Sequence, residues 1–207
     1  MQDARQVSWR GRSEPGSARG ATTLIALLRG INVGGNKKVP MAVLRDLATG
    51  LGFRQVESYI QSGNLVLAAS QAAEAAEAAL EQAIERHFGF AVDVIVRTGA
   101  QWLRYAAGSP FADAEAERPN WLLLGLSKRP PNLGAADTLR AYAKAGERIE
   151  VLDDAIWIDF AAGVASSKLT PAVLDRAVGS TVTARNWRTV QKLAEMVQAT
   201  DRQPRKS

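Results

Sequence analysis

Hydrophobic period changes along this chain in a fixed order, and that order constrains the fold more than any other feature. The apolar run TTLIALL at residues 22–28 is ended by Gly30 and reads as a buried strand. Pro40 then opens PMAVLRDLATGLG, where Met41, Leu44 and Leu47 recur at helical spacing before glycines stop the pattern. QVESYIQSGNLVLAA reads as strand, turn, strand, with Ser62, Gly63 and Asn64 supplying the turn chemistry. Ser70 is an expected N-cap for a helix reaching Phe88, with Ala76, Leu80, Ile84 and Phe88 as its apolar stripe. Glu74, Glu77, Glu81 and Glu85 form its exposed stripe, and Gly89 ends it. FAVDVIV at residues 90–96 is a further strand. The order β-α-β-β-α-β is the split βαβ arrangement of a ferredoxin-like fold.

A short helix is expected around Trp102 and Tyr105, and the order then repeats. NWLLLGL is a strand, residues 133–145 a helix, and RIEVL and AIWIDF a hairpin turning at Asp153 and Asp154. PAVLDRAV is a helix, STVTA a strand, and an amphipathic helix runs from Trp187 to about Gln198. The expected class is α+β: two ferredoxin-like subdomains with antiparallel sheets plus a C-terminal helix. The divisions are a basic tail at 1–21, expected to be disordered, subdomain 1 at 22–108, a linker at 109–119, subdomain 2 at 120–198 and a tail at 199–207, also expected to be disordered. Each half is small enough to gain burial by packing on the other.

Charge has to be located before it is interpreted. The pI is near 9.8, but residues 1–20 hold four arginines against Asp3 and Glu14, and residues 200–207 hold three basic groups against Asp201. Between the tails the balance is close to neutral, so net charge does not argue for nucleic acid. Apolar runs such as TLIALL and WLLLGL are too short to cross a bilayer, and the N-terminus has arginines but no apolar secretory segment. A cytoplasmic protein with no membrane partner is expected. The absence of cysteine and the single histidine exclude a disulfide framework, thiolate metal sites and multi-histidine metal sites. No metal and no cofactor are expected. His87, at a helix end, complements the helix dipole.

In a sheet of spatial order 4-1-3-2 the loop after the first strand shares an end with the hairpin between the second and third. The loop after the third strand shares the other end with the exit from the fourth. RGINVGGNKK therefore meets IQSGN in the first half, and ASSKLT meets TARNW in the second. Residues 29–38, 166–170 and 183–192 carry Arg29, Lys37, Lys38, Lys168, Arg185, Arg188 and Lys192 with no acidic residue. Such cations, with glycine-exposed backbone N–H groups, suit an anion. The expected ligand-binding set is Arg29, Asn32, Gly34, Gly35, Asn36, Lys37, Gln61, Asn64, Ser167, Lys168, Arg185 and Asn186. Structural roles compete for several of these: Asn186 and Thr170 suit N-caps, and Gly63 and Asn64 suit a turn. Gly30 to Gly35 has the spacing of a phosphate-binding P-loop, but Asn36-Lys37-Lys38 lacks its Gly-Lys-Ser/Thr ending. Ser166 or Ser167 beside Lys168 could form a nucleophile and base pair, although loop and capping serines are commoner.

ALLRGINVGGNKKVPMAVLRDL, YIQSGNLVL, SKLT and TARNWRTVQKL, in this order, resemble an uncharacterised bacterial family, domain of unknown function 1697. The resemblance covers residues 22–198 and implies two ferredoxin-like subdomains without implying an activity. Arg188 departs from the family block, which resembles RNWNTV. The expected function is binding of a small anionic ligand, phosphate- or carboxylate-bearing and possibly a nucleotide, in a basic cleft between the subdomains; whether the chain is an enzyme stays open. Nucleic-acid binding is the alternative, because RRM domains share the topology. Its aromatic platform is missing from TLIALL and NLVLA, leaving only Trp121 and Trp157 for an open sheet face. A protein-interaction module without a ligand is the third.

Overall fold

The computed structural model describes residues 21–35 and 37–203. Subdomain 1 comprises β1 (Thr22–Leu28), α1 (Met41–Gly50), β2 (Arg54–Tyr59), β3 (Asn64–Ala69), α2 (Ala73–Phe88) and β4 (Val94–Thr98). Two short helices, α3 (Gly99–Ala106) and α4 (Ala112–Glu117), lead into β5 (Leu122–Ser127), α5 (Ala135–Tyr142), β6 (Arg148–Leu152), β7 (Ala155–Asp159), α6 (Pro171–Val178), β8 (Val182–Asn186) and α7 (Trp187–Arg202). The sheets have orders β2-β3-β1-β4 and β6-β7-β5-β8, with every neighbouring pair antiparallel. This is the expected pair of ferredoxin-like subdomains.

Strand alternation assigns each face. On sheet 1, Leu24, Ala26, Leu65 and Leu67 face the stripe of Leu44, Ala76, Leu80 and Ile84 from α1 and α2. Ile25, Leu27, Val66 and Ile95 face the other way, into a core shared with α3, α7 and the inner face of sheet 2, represented by Leu122, Leu124, Leu126 and Trp157. The outer face of sheet 2, with Ile149, Ile156 and Ile158, packs on Leu139 of α5 and Leu174 and Val178 of α6. The C-terminal helix is therefore central: it seals the inner faces of both sheets, and Trp102 Nε1 of α3 donates to the Val190 carbonyl at 3.0 Å.

Several local expectations change. The expected tail at 1–21 falls outside the described residues except for Ala21, and the one at 199–207 does so only from residue 204; its first part is not disordered, because α7 continues past Gln198 to Arg202, tied by Thr23 Oγ1 donating to Asp201 at 2.6 Å. The expected linker contains α4, whose Ala114 is buried in the shared core with Phe111. Ser70 is not a cap: Ala72 holds that position without a side-chain bond. Nor is the glutamate stripe of α2 wholly solvated. Glu81 and Glu77 accept from the edge-strand amides of Val94 and Val96 at 2.8 and 3.1 Å, and both pair with Lys128 of the second half. Capping β4 in this way removes the unpaired edge that a terminal strand otherwise presents.

Candidate functional site

The loop from Arg29 to Pro40 is shaped by left-handed backbone. Gly30, Gly34 and Gly35 have φ of 64°, 60° and 80°, and Asn32 and Lys37 join them at 55° and 46°. Asparagine tolerates this region because its short amide bonds locally. Asn32 Nδ2 donates to Val39 O at 3.0 Å and to Gln61 O at 2.8 Å, while its Oδ1 accepts from Val39 N at 2.9 Å. One side chain thus closes the loop on itself and fastens it to the β2–β3 turn. Gly63, with φ 77°, completes that turn; a Cβ there would meet Leu28 and Ile31 at 2.7 Å, so only glycine lets the turn lie against the end of β1.

A recess of about 390 Å³ opens between loop and turn, lined by Asn32, Gly35, Lys38, Val39, Pro40 and Gln61. Lys38 is its charged side chain; it is exposed and bonds to no other described residue, and no carboxylate lines the wall. Pro40 is the N-cap of α1 and makes no side-chain cap, and the first turn contains no acidic residue. The positive end of a ten-residue helix therefore stands at the recess without a fixed counter-charge. The chain neighbours of Asn32 and Gln61 are apolar and exposed, Val33 at 67% and Ile60 at 50%. Ile60 has φ 48°, a conformation in which a β-branched residue is strained.

The remaining expected ligand residues are distributed differently. Gly34 and Gly35 are exposed in the loop, and Asn36 lies outside the described residues. Lys37 donates to Ala91 O at 2.8 Å. Arg29 turns to α6, pairing with Asp175 at 2.8 Å. Asn64 is fully buried: its amide donates to Tyr59 O at 3.0 Å and Ser62 Oγ at 3.1 Å, and its carbonyl accepts from Arg185 Nε. Arg185, 8% exposed, also donates to Thr183 Oγ1 and Ala184 O at 2.8 Å, and to the carbonyls of Leu28, Ser62 and Gly63 at 2.9, 3.1 and 3.3 Å. Burial lowers this guanidinium to about 10. Its donors join the two subdomains rather than facing a cleft.

Ser167 donates to Glu147 and accepts from Leu169 N at 3.1 Å, so its hydroxyl is committed to the loop. Lys168 is exposed beside it, and Asn186 caps α7 by accepting from Thr189 N at 3.0 Å. These residues do not join the first-half loop. They lie at the end of sheet 2 where Asp159 pairs with Leu122, whereas Arg29 meets Asp175, which binds Val182 N at the opposite end, where Val182 pairs with Ser127. The topology rule placed each pair of loops correctly within its own sheet, but it does not specify how one sheet is set against the other. The expected basic cleft spanning both loop clusters does not form from these side chains.

Other features had weaker sequence signals. Asp159, fully buried, accepts from Arg118 and Arg148. Burial raises its carboxyl, but the two guanidiniums outweigh that and leave it lowered. Asp113 bridges the same arginines and is held at about 2 by their hydrogen bonds. Tyr105 donates to Asp154 at 2.7 Å and is pushed to about 12, first by burial and then by that carboxylate. Trp157 is buried against Trp187, while Trp121 is 44% exposed and lines a recess of about 250 Å³ with Asn120 and Arg188. The inner faces of both sheets, the surfaces an RRM uses for bases, are covered. His87 is exposed at the end of α2, in edge contact with Phe88. Among the described residues no group of three metal-ligating side chains clusters, and no helix is long and apolar enough to cross a membrane.

Residues 21–157 match the model of a family described as a protein of unknown function, DUF1697. A solved structure of a conserved bacterial protein, SP0830 from Streptococcus pneumoniae, superposes with a TM-score of 0.66 at 24% identity, covering 86% of this chain and 99% of that one. At that identity the likeness concerns the fold. No curated protein matches.

Proposed function

The chain belongs to the DUF1697 family, and we propose that it binds a small anionic ligand, phosphate- or carboxylate-bearing, in the recess between the β1–α1 loop and the β2–β3 turn. The site is smaller than a cleft between subdomains and belongs to the first of them. One observation carries the reading: a recess of about 390 Å³ meets the uncapped start of α1, with Lys38 on its wall and no carboxylate beside it. Lys38 supplies the counter-charge, the α1 terminus supplies unsatisfied N–H groups, and the Gln61 side chain offers an amide to polar parts of the ligand. Asn32, with both ends of its amide engaged, shapes the wall instead of contacting the ligand. The exposed Val33 and Ile60 offer apolar contact to an organic portion. The ligand is a cytoplasmic metabolite in this reading, in keeping with a cysteine-free chain.

Titration with inorganic phosphate and with acetate, followed by backbone amide NMR shifts, tests it. Shifts are expected at Gly35, Lys38, Met41 and Gln61, and Lys38→Ala is expected to weaken phosphate binding by about tenfold, the value of one charge-assisted contact. Phosphate affinity unchanged in Lys38→Ala, or shifts confined to other surfaces, would remove the proposal.

A further inference from the structure

Arg185 is the least expected group in the molecule. A buried guanidinium normally has a carboxylate beside it, because desolvating an uncompensated charge is expensive. Here the acceptors are Asn64 Oδ1, Thr183 Oγ1 and the carbonyls of Ala184, Leu28, Ser62 and Gly63; all are neutral, and no carboxylate among the described residues pairs with it. The other large inter-subdomain cations are neutralised: Arg29 by Asp175, Arg97 by Asp154, and Lys128 by Glu77 and Glu81. Six neutral oxygens satisfy the hydrogen-bonding needs of the Arg185 guanidinium but leave its charge unbalanced.

The charge is joined to the recess through the β2–β3 turn. Ser62, whose carbonyl it grips, follows Gln61 on the recess wall, and the Gln61 carbonyl is bonded by Asn32 on the same wall. Leu28, gripped on the other side, is the residue from which the loop departs. Arg185 is 8% exposed, and the field of a buried charge is screened far less than that of one in water. We propose that Arg185, supplied by the second subdomain, is the buried counter-charge of the ligand in the first, and that with Lys38 it selects a doubly charged group, a phosphate monoester or phosphate itself, over a monocarboxylate. This rests on the anion reading above. Arg185 never touches the ligand; it positions the β2–β3 turn and sets the potential there.

Asn64 provides the test, because Asn64→Asp places a carboxylate of the same size against Arg185 Nε, neutralising the charge while the arginine stays; it also gives up the donation to Tyr59 O, so the Tyr59–Asn64 amide shifts are checked for an undistorted turn. NMR titrations with inorganic phosphate and acetate would compare wild type, Asn64→Asp, Arg185→Lys and Arg185→Met, each first checked for a native spectrum. Wild type is expected to prefer phosphate. Asn64→Asp is expected to lose about tenfold in phosphate affinity and only about threefold in acetate affinity, because a single charge feels half the interaction energy, Arg185→Met to lose similar factors, and Arg185→Lys to stay within about threefold. If the methionine variant does not fold, the aspartate and lysine variants decide; if Asn64→Asp does not fold, lysine against methionine decides. A folded Asn64→Asp that binds phosphate as wild type does would overturn the role of Arg185 while leaving the recess intact as a site. Equal wild-type affinity for phosphate and acetate would overturn the selectivity even if no variant folds. Absence of Lys38-dependent phosphate binding in wild type would remove both proposals.

Discussion

Two residues of the β2–β3 turn show opposite uses of left-handed backbone. Ile60 holds φ 48° while half exposed, so little packing repays its strain. Replacing it with asparagine, which visits this region readily, is expected to stabilise the fold by about 1 kcal/mol, raising the melting temperature by about 2–4 °C in a calorimetric scan. Stability unchanged or lowered would show that the Ile60 side chain contributes more packing than its exposure indicates. Gly63 has φ 77° and no room for a methyl group against Leu28 and Ile31. Gly63→Ala is expected to cost about 2–4 kcal/mol in urea unfolding, from overpacking and backbone strain together. Sequence reading identified Gly63 as a turn residue but not its second constraint, the close approach of β1. Asn64 reads chiefly as a turn residue while also standing in the expected ligand set, and its burial under Arg185 decides for the structural role.

At the scale of elements, α4 and the segment around it are fixed by charge. Arg118, at the C-cap of α4, reaches Asp159 on β7 and Asp113 in its own helix, while Arg148 on β6 holds the same two carboxylates and covers the Phe111 ring. Both carboxyls are lowered in the folded protein, Asp113 to about 2. A lowered folded pKa gives stability that is fully present above the ordinary value of 3.8 and is lost as pH falls toward 2. Glu77, raised chiefly by burial, acts in the opposite direction and offsets part of this. Unfolding free energy is expected to drop across that acid window, and Asp159→Asn is expected to flatten the drop; an acid limb identical in the variant would assign it to other carboxylates. The charged, proline-flanked sequence of this segment resembles a linker because the partners that order it lie far along the chain.

For the whole molecule, the decisive feature is the core between the sheets. Ile25, Leu27, Val66 and Ile95 from the first half, and Leu122, Leu124, Leu126 and Trp157 from the second, are buried with α3 and α7. Neither half can hide its inner face alone. Thermal unfolding of the intact chain is therefore expected as one transition by calorimetry and by circular dichroism, and a fragment comprising residues 21–108 is expected to bind a hydrophobic dye and lack dispersed amide resonances. Two resolved transitions, or a well-dispersed fragment spectrum, would refute this coupling. The same shared core covers the sheet surfaces that made nucleic acid an alternative.

Local sequence determined the elements of both sheets and their order, though not α4, because hydrophobic period, turn chemistry and chain connectivity act over short distances. It also located the β1–α1 loop, since glycines and an acid-free run are visible in the string itself, but the expected ligand set held Lys37 and not Lys38, and only the fold turns Lys37 to Ala91 and leaves Lys38 at the recess. The meeting of the halves was decided only in three dimensions. There Arg29 found Asp175, Arg185 found a cage of neutral oxygens, and Lys168 was left at the far end of its sheet. Like residues in like loops received different roles because the direction and burial of a side chain depend on contacts made from the opposite half of the chain.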